Sequence, residues 1–168
     1  GNVLMDYWIE SKQQKQFDEA GNWAAQGNIC AALLNLLMDE NYLSLPHPKS
    51  TGRELFNGKW LEEKLSKLQE PPAAVDVQAS LLEYTAVTIT QAISKELTAE
   101  EIYVCGGGAH NKILIDRLQE LLPAASVATT RELGFNPDQV EAVAFAWMAK
   151  QTCEGNKIAT GQLTGASE

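Results

Sequence analysis

The run Tyr103-Val104-Cys105-Gly106-Gly107-Gly108-Ala109-His110-Asn111, leading into the amphipathic stretch Lys112 to Leu122, joins a short apolar strand to a helix through three consecutive glycines. No other segment restricts the fold so closely. Residues without Cβ can adopt φ > 0 and bring backbone N–H groups to the surface, and the N-terminus of the following helix adds partial positive charge. Such a turn admits a phosphate or a ribose at close range. It also lets strand and helix pack tightly with no ligand present, and the residues alone leave both readings open. The spacing GGGxxN is neither the GxGxxG of a dinucleotide fold nor the GxxxxGK[ST] of a P-loop.

The pattern continues through that helix to a second β-branched stretch, Ser126 to Thr130. Strand, glycine turn, helix and strand make a βαβ unit with parallel strands, and the chain reads as α/β. Leu133-Gly134-Phe135 follows as a loop, and Asn136-Pro137-Asp138-Gln139 supplies an N-cap, a Pro at the first helical position and a Gln at the capping-box position. A helix is therefore predicted from Pro137. Its body, Val140 to Ala149, is apolar on every face apart from Glu141, which predicts burial between other layers.

Upstream, Trp23, Cys30, Leu33, Leu34 and Leu37 recur at helical spacing, predicting one helix from Asn22 to Met38 with Asp39-Glu40-Asn41 as its stop. Leu45 to Glu54 carries two prolines and then Thr51-x-x-Glu54, an exposed loop running into a capping box and a helix start. Leu61, Leu65 and Leu68 mark a short amphipathic helix that Pro71-Pro72 ends. Asp76 to Leu97 reads as a long helix with Asp76 as N-cap.

With 168 residues and 45% hydrophobic content the chain can bury one sizeable core, so one domain is expected. Thirteen basic against 22 acidic residues give a net charge of −9 with no basic run, which argues against nucleic acid as a partner. Cys30, Cys105 and Cys153 form no CxxC pair and lie in apolar segments, predicting buried free thiols in a reducing, cytosolic compartment and no structural zinc. Asn35, Glu141 and Lys150 interrupt the apolar runs before membrane-spanning length, and no leader pattern opens the chain. A chain opening on Gly1-Asn2 without Met reads as a piece of a longer polypeptide. Asp6, Asp18 and Glu19 lack metal-like spacing and read as solvated or capping residues, and Trp8, Trp23, Trp60 and Trp147 as core or lobe contacts. His110 reads as a solvent-facing turn residue, and Asn111 as helix cap, ligand contact or both.

Five blocks in order then carry a resemblance: GNVLMDYWI (Gly1 to Ile9), PKSTGRELFN (Pro48 to Asn57), CGGGAHN (Cys105 to Asn111), GFNPDQVEAVAFAWMA (Gly134 to Ala149) and LTGA (Leu163 to Ala166). Together they resemble the C-terminal half of the anhydro-N-acetylmuramic acid kinases, over nearly the whole chain. The resemblance implies one lobe, residues 1–168, of the two-lobed hexokinase, actin and Hsp70-like (ribonuclease H-like) fold, helix-rich with a small mixed sheet. It implies ATP and Mg²⁺ as cofactors, and ring opening with phosphorylation of 1,6-anhydro-N-acetylmuramic acid to N-acetylmuramic acid 6-phosphate in cell-wall recycling.

Carried onto this sequence, Gly106, Gly107, Gly108 and Asn111 would border the nucleotide and Glu141 would reach the sugar. The water-activating Asp of the family's Asp-Thr-Gly-Pro motif would fall just before Gly1, so no catalytic base is assigned, and this chain by itself is expected to lack kinase activity. Lys49, Ser50 and Thr51 stand in a block typical of the family and receive no role. A homodimer is also implied. Two other readings stay open: a non-catalytic nucleotide-binding or regulatory module of the same superfamily, and a helical interaction protein whose glycine turn binds nothing.

Overall fold

One long helix, α5 (Ala74–Glu96), organises the structure, a computed structural model that describes residues 2–46, 48–96 and 99–158. Its residues 77–86 are all buried, so neighbours surround it on every side. They are α1 (Asn2–Gln13), α2 (Ala31–Met38), α4 (Gly58–Leu65), α6 (Lys112–Leu121) and the 3₁₀ turn Ala24–Gln26, while the short α3 (Asn41–Ser44) follows α2. Leu4, Met5 and Trp8 of α1, Leu33 and Leu37 of α2, Leu61 of α4, Leu81 of α5 and Leu114 and Leu118 of α6 meet in one apolar core. Most buried polar groups of α5 find partners, as close packing requires, although Gln78 Oε1 accepts no hydrogen bond. Ser80 Oγ donates to the Asp76 carbonyl at 2.7 Å and accepts from Cys30 N at 2.9 Å, and Thr85 donates to the Leu81 carbonyl.

Two strands follow, β1 (Glu101–Val104) and β2 (Ser126–Thr129), parallel and in register from Glu101 opposite Ser126 to Val104 opposite Thr129. The α6 crossover between them is fastened to β2 by Gln119, whose side chain accepts from Val127 N at 2.9 Å and donates to the Ala125 carbonyl at 2.8 Å. The βαβ unit is thus as the sequence predicts, and the fold is α/β. The sheet is not mixed: among the described residues it holds only these two parallel strands.

Several local expectations are corrected. The predicted helix from Asn22 forms only over α2, because Gly27 is extended (φ −95°, ψ 170°) and lies so close to α5 that a Cβ would stand 2.3 Å from the Val75 carbonyl oxygen. The chain before it makes 3₁₀ turns at Glu19–Gly21 and Ala24–Gln26 instead. Asp76 is not the N-cap of α5, which begins at Ala74; its carboxylate accepts from Asn28 N at 2.7 Å and anchors this loop. Thr51-x-x-Glu54 closes a turn rather than opening a helix. Glu54 accepts from Gly52 N at 2.6 Å and from Thr51 Oγ1, while α4 starts later on Asn57, whose side chain caps Trp60 N at 3.0 Å.

Cys105 and Cys153 are free but exposed, and Cys30 is half-buried, so the expectation of buried thiols fails. The largest departure is α7 (Val140–Cys153), expected between layers: it has no buried residue. Val143, Phe145 and Trp147 are 53%, 68% and 54% exposed, so no described segment covers the helix and Trp147 is not a core contact. The Leu163 to Ala166 block lies outside the described residues.

Candidate functional site

The glycine turn leaves the carboxyl end of β1 with Gly106 at φ 70°, a conformation that favours a residue without Cβ. Gly107 does not share this positive φ. A 3₁₀ turn, Gly107–His110, then leads to Asn111, whose Oδ1 accepts from Leu114 N at 3.0 Å and caps α6. Asn111 is buried at 8% exposure, its side chain engaged by the helix it opens. Asn2, at the start of α1, lies against the turn, its Nδ2 3.3 Å from where a Cβ on Gly107 would stand.

The turn separates two hollows. One, of about 460 Å³, is lined by Gly106, Gly107, Gly108 and Glu141 above a floor that includes Ile89 and Leu118. The other, of about 630 Å³, is bordered by Asn2, Asp6, Glu19, Gly107, His110 and Asn111. Both volumes suit a small-molecule ligand. The structure therefore brings Glu141 to the same cavity as the three glycines, 33 or more positions earlier in the chain, while Asn111 borders the second. Glu141 itself is exposed. A further hollow, about 660 Å³ around Gln13, Phe17 and Trp23, shares Glu19 with the second but contains none of the glycines, Asn111 or Glu141.

Three further residues belong to this neighbourhood, among them Asp6, which was expected to be solvated or capping. Asp6 is half-buried, and burial pushes its carboxyl above the ordinary range. Asn2 touches the turn. Asp138 pairs with His110, Nε2 to Oδ1 at 2.7 Å, both side chains half exposed. The pairing spans 28 positions, beyond the reach of any helix or turn periodicity. Asp18, read as a capping residue, is buried and accepts from Trp23 N at 2.8 Å and Ala24 N at 2.9 Å. Lys49 joins neither hollow; its ammonium donates to the Tyr42 and Leu43 carbonyls, both at 2.9 Å, and closes the end of α3. Thr51 serves the Glu54 turn. No group of three His, Cys, Asp or Glu among the described residues is placed to hold a metal, and no helix there is long and apolar enough to cross a membrane.

A parallel βαβ unit with a glycine turn at its carboxyl edge, set in a helix-rich α/β fold, is an arrangement compatible with the sugar-kinase class. A family model described as anhydro-N-acetylmuramic acid kinase matches residues 1–168, and the chain belongs to that family. Curated proteins of that name are similar to it throughout. The one from Thiobacillus denitrificans is 47% identical over 167 residues, covering 99% of this chain and 45% of the relative. That from Pseudomonas fluorescens is 48% identical over 167 residues, covering 99% and 46%, and that from Vibrio cholerae 44% over 169 residues, covering 99% and 45%. The chain thus spans a little under half the length of the curated relatives it matches.

Proposed function

We propose that this chain forms one lobe of an ATP-dependent kinase that opens the anhydro ring of 1,6-anhydro-N-acetylmuramic acid with water and phosphorylates it to N-acetylmuramic acid 6-phosphate, in the cytoplasm and as a homodimer. The observation that carries the reading is the meeting of the glycine turn and Glu141 on one cavity in a chain of this family. Phosphoryl transfer depends on positioning and on neutralising charge, so backbone N–H groups and a helix N-terminus beside the phosphates supply much of what this lobe must give. In the turn Gly106 N is engaged by the Pro137 carbonyl and Ala109 N by the Gly106 carbonyl, so Gly107 and Gly108 would supply the backbone donors, with the Asn2 side chain next to them. Glu141 accepts hydrogen bonds from sugar hydroxyls at the start of α7.

Mg²⁺ takes few protein ligands, keeps several waters and is held largely by the phosphates of its nucleotide. Of the three carboxylates that line the larger cavity beside the turn, Asp18 is engaged by Trp23 N and Ala24 N, and Asp6 and Glu19 fit that sparse demand and would face the ion there. When bound, the ion neutralises charge developing on the transferred phosphoryl group. This chain holds and orients the ligands, and no residue of it is assigned as the base that activates water.

Two substitutions in the polypeptide that carries this chain test the reading. Charge-assisted bonds to Glu141 are worth about 1.5 to 3 kcal/mol each, so Glu141→Gln is expected to lower kcat/KM for the sugar tenfold or more. The melting temperature should hardly move, because the side chain is exposed. Gly107→Val is expected to weaken ATP binding in a folded protein, since its Cβ meets only Asn2. Calorimetry showing unchanged ATP affinity would return the turn to a packing role, and an unchanged sugar kcat/KM would do the same for Glu141 as a helix-terminal charge.

A further inference from the structure

The glycine turn and Glu141 belong to different elements, and α7 contributes no buried residue that would fix one against the other. Among the described residues two hydrogen bonds link the turn to the entry of α7. Gly106 N donates to the Pro137 carbonyl at 2.9 Å, and His110 Nε2 meets Asp138 Oδ1 at 2.7 Å. Pro137 and Asp138 lie in the 3₁₀ turn Pro137–Gln139 that runs directly into α7. Asn136 Oδ1 accepts from Asp138 N at 3.1 Å, so the entry is capped from behind while the Asp138 carboxylate is engaged by His110. Glu141 follows Asp138 by three positions, one helical turn further along the same side.

We propose that the His110–Asp138 pair is a positioning clamp that registers Glu141 against the glycine turn, so that filling the nucleotide side of the site raises affinity for the sugar. The inference rests on the reading of the turn as the nucleotide subsite and of Glu141 as a sugar contact. Both partners are half exposed, and an ion pair of that kind adds little to stability. Its consequence lies in geometry: a small displacement of a ligand-contacting carboxylate weakens binding far more than the pair's own energy suggests. The coupling is reciprocal, so a sugar held by Glu141 also favours the turn conformation that receives the nucleotide.

The experiment measures sugar affinity by calorimetry with and without a non-hydrolysable ATP analogue and Mg²⁺, in the polypeptide that carries this chain. In the unsubstituted protein the analogue is expected to tighten sugar binding about tenfold. His110→Ala and Asp138→Ala should each bring that ratio close to one, and the double substitution should go no further than either single one. His110→Gln, which keeps an N–H donor for Asp138, should restore most of the ratio, a recovery that general loosening of the fold would not give. A ratio that survives either Ala substitution, that is absent from the unsubstituted protein, or that falls additively in the double variant overturns the clamp. An unsubstituted protein that binds neither ligand overturns the functional reading, and the clamp with it, before any variant is made.

Discussion

Asp6 carries its cost in its surroundings. On α1, half-buried beside Gly107 and His110, its carboxyl is pushed up by burial because taking a charge out of water favours the neutral form. The folded protein then holds the Asp6 proton more firmly than the unfolded chain does. That contribution to stability is complete below the unfolded value of 3.8 and is lost as pH rises through the higher folded value. At neutral pH the charged form is a liability of the fold, which a ligand or cation in the adjoining cavity can offset. Asp6→Asn is therefore expected to raise the melting temperature at neutral pH and to lose the advantage in strongly acidic buffer. Thermal melts across the acid range check this. An equal gain at every pH, or a loss at neutral pH, would remove the desolvated carboxylate from the account. Glu54 shifts the other way: backbone N–H groups of the 52–54 turn hold its carboxyl below the usual range, but it is fully exposed and water screens the effect.

At the scale of elements, the alignment of α6 on α5 depends on Arg117 and Glu83. The guanidinium grips the buried carboxylate with two parallel bonds, Nε to Oε2 at 2.7 Å and Nη2 to Oε1 at 2.8 Å, and reaches Glu120 with a third at 2.8 Å. Removing one partner leaves a charge without compensation, so Arg117→Ala should destabilise by about 3 kcal/mol. Replacing both Arg117 and Glu83 by Leu should return stability to within about 1 kcal/mol of the original, since the burial penalty disappears with the pair. Denaturant unfolding of the three proteins decides this, and a double variant as weak as the single one would sink the explanation. The legibility of the sequence follows the same division between local and distant causes. Strand, glycine turn, Asn111 cap, α6 and parallel β2 were readable because each signal lies within a few residues of its effect. The entry to α7 was readable at Asn136-Pro137 for the same reason. The break before α2 was not, because Gly27 is extended where it meets Val75, 48 positions away. The meeting of Glu141 with the turn's cavity, the His110–Asp138 pair and the position of Asp6 depend on tertiary placement that no periodicity encodes.

On the scale of the whole molecule, the exposed surface of α7 competes with net charge. Val143 and Trp147, one helical turn apart, and Phe145 on another face of the same helix stand more than half exposed, and Leu133 and Phe135 in the preceding segment are 52% and 55% exposed. Exposed apolar side chains in this number favour association. Against it, a formal charge of −9 makes two copies repel, a repulsion that reaches about 10 Å at 0.1 M salt and shrinks as salt is added. Apolar contact does not weaken with salt, so ionic strength decides which effect wins. The 168-residue chain is expected to be mostly monomeric at low salt and to associate progressively as salt and protein concentration rise. Light scattering coupled to size exclusion measures the mass directly. Phe145→Glu with Trp147→Glu should abolish the association by adding charge where the apolar contact forms. The melting temperature should stay nearly constant, because neither side chain is buried. A chain that remains monomeric at every salt concentration, or one whose association survives both substitutions, would mean that α7 is not the surface responsible.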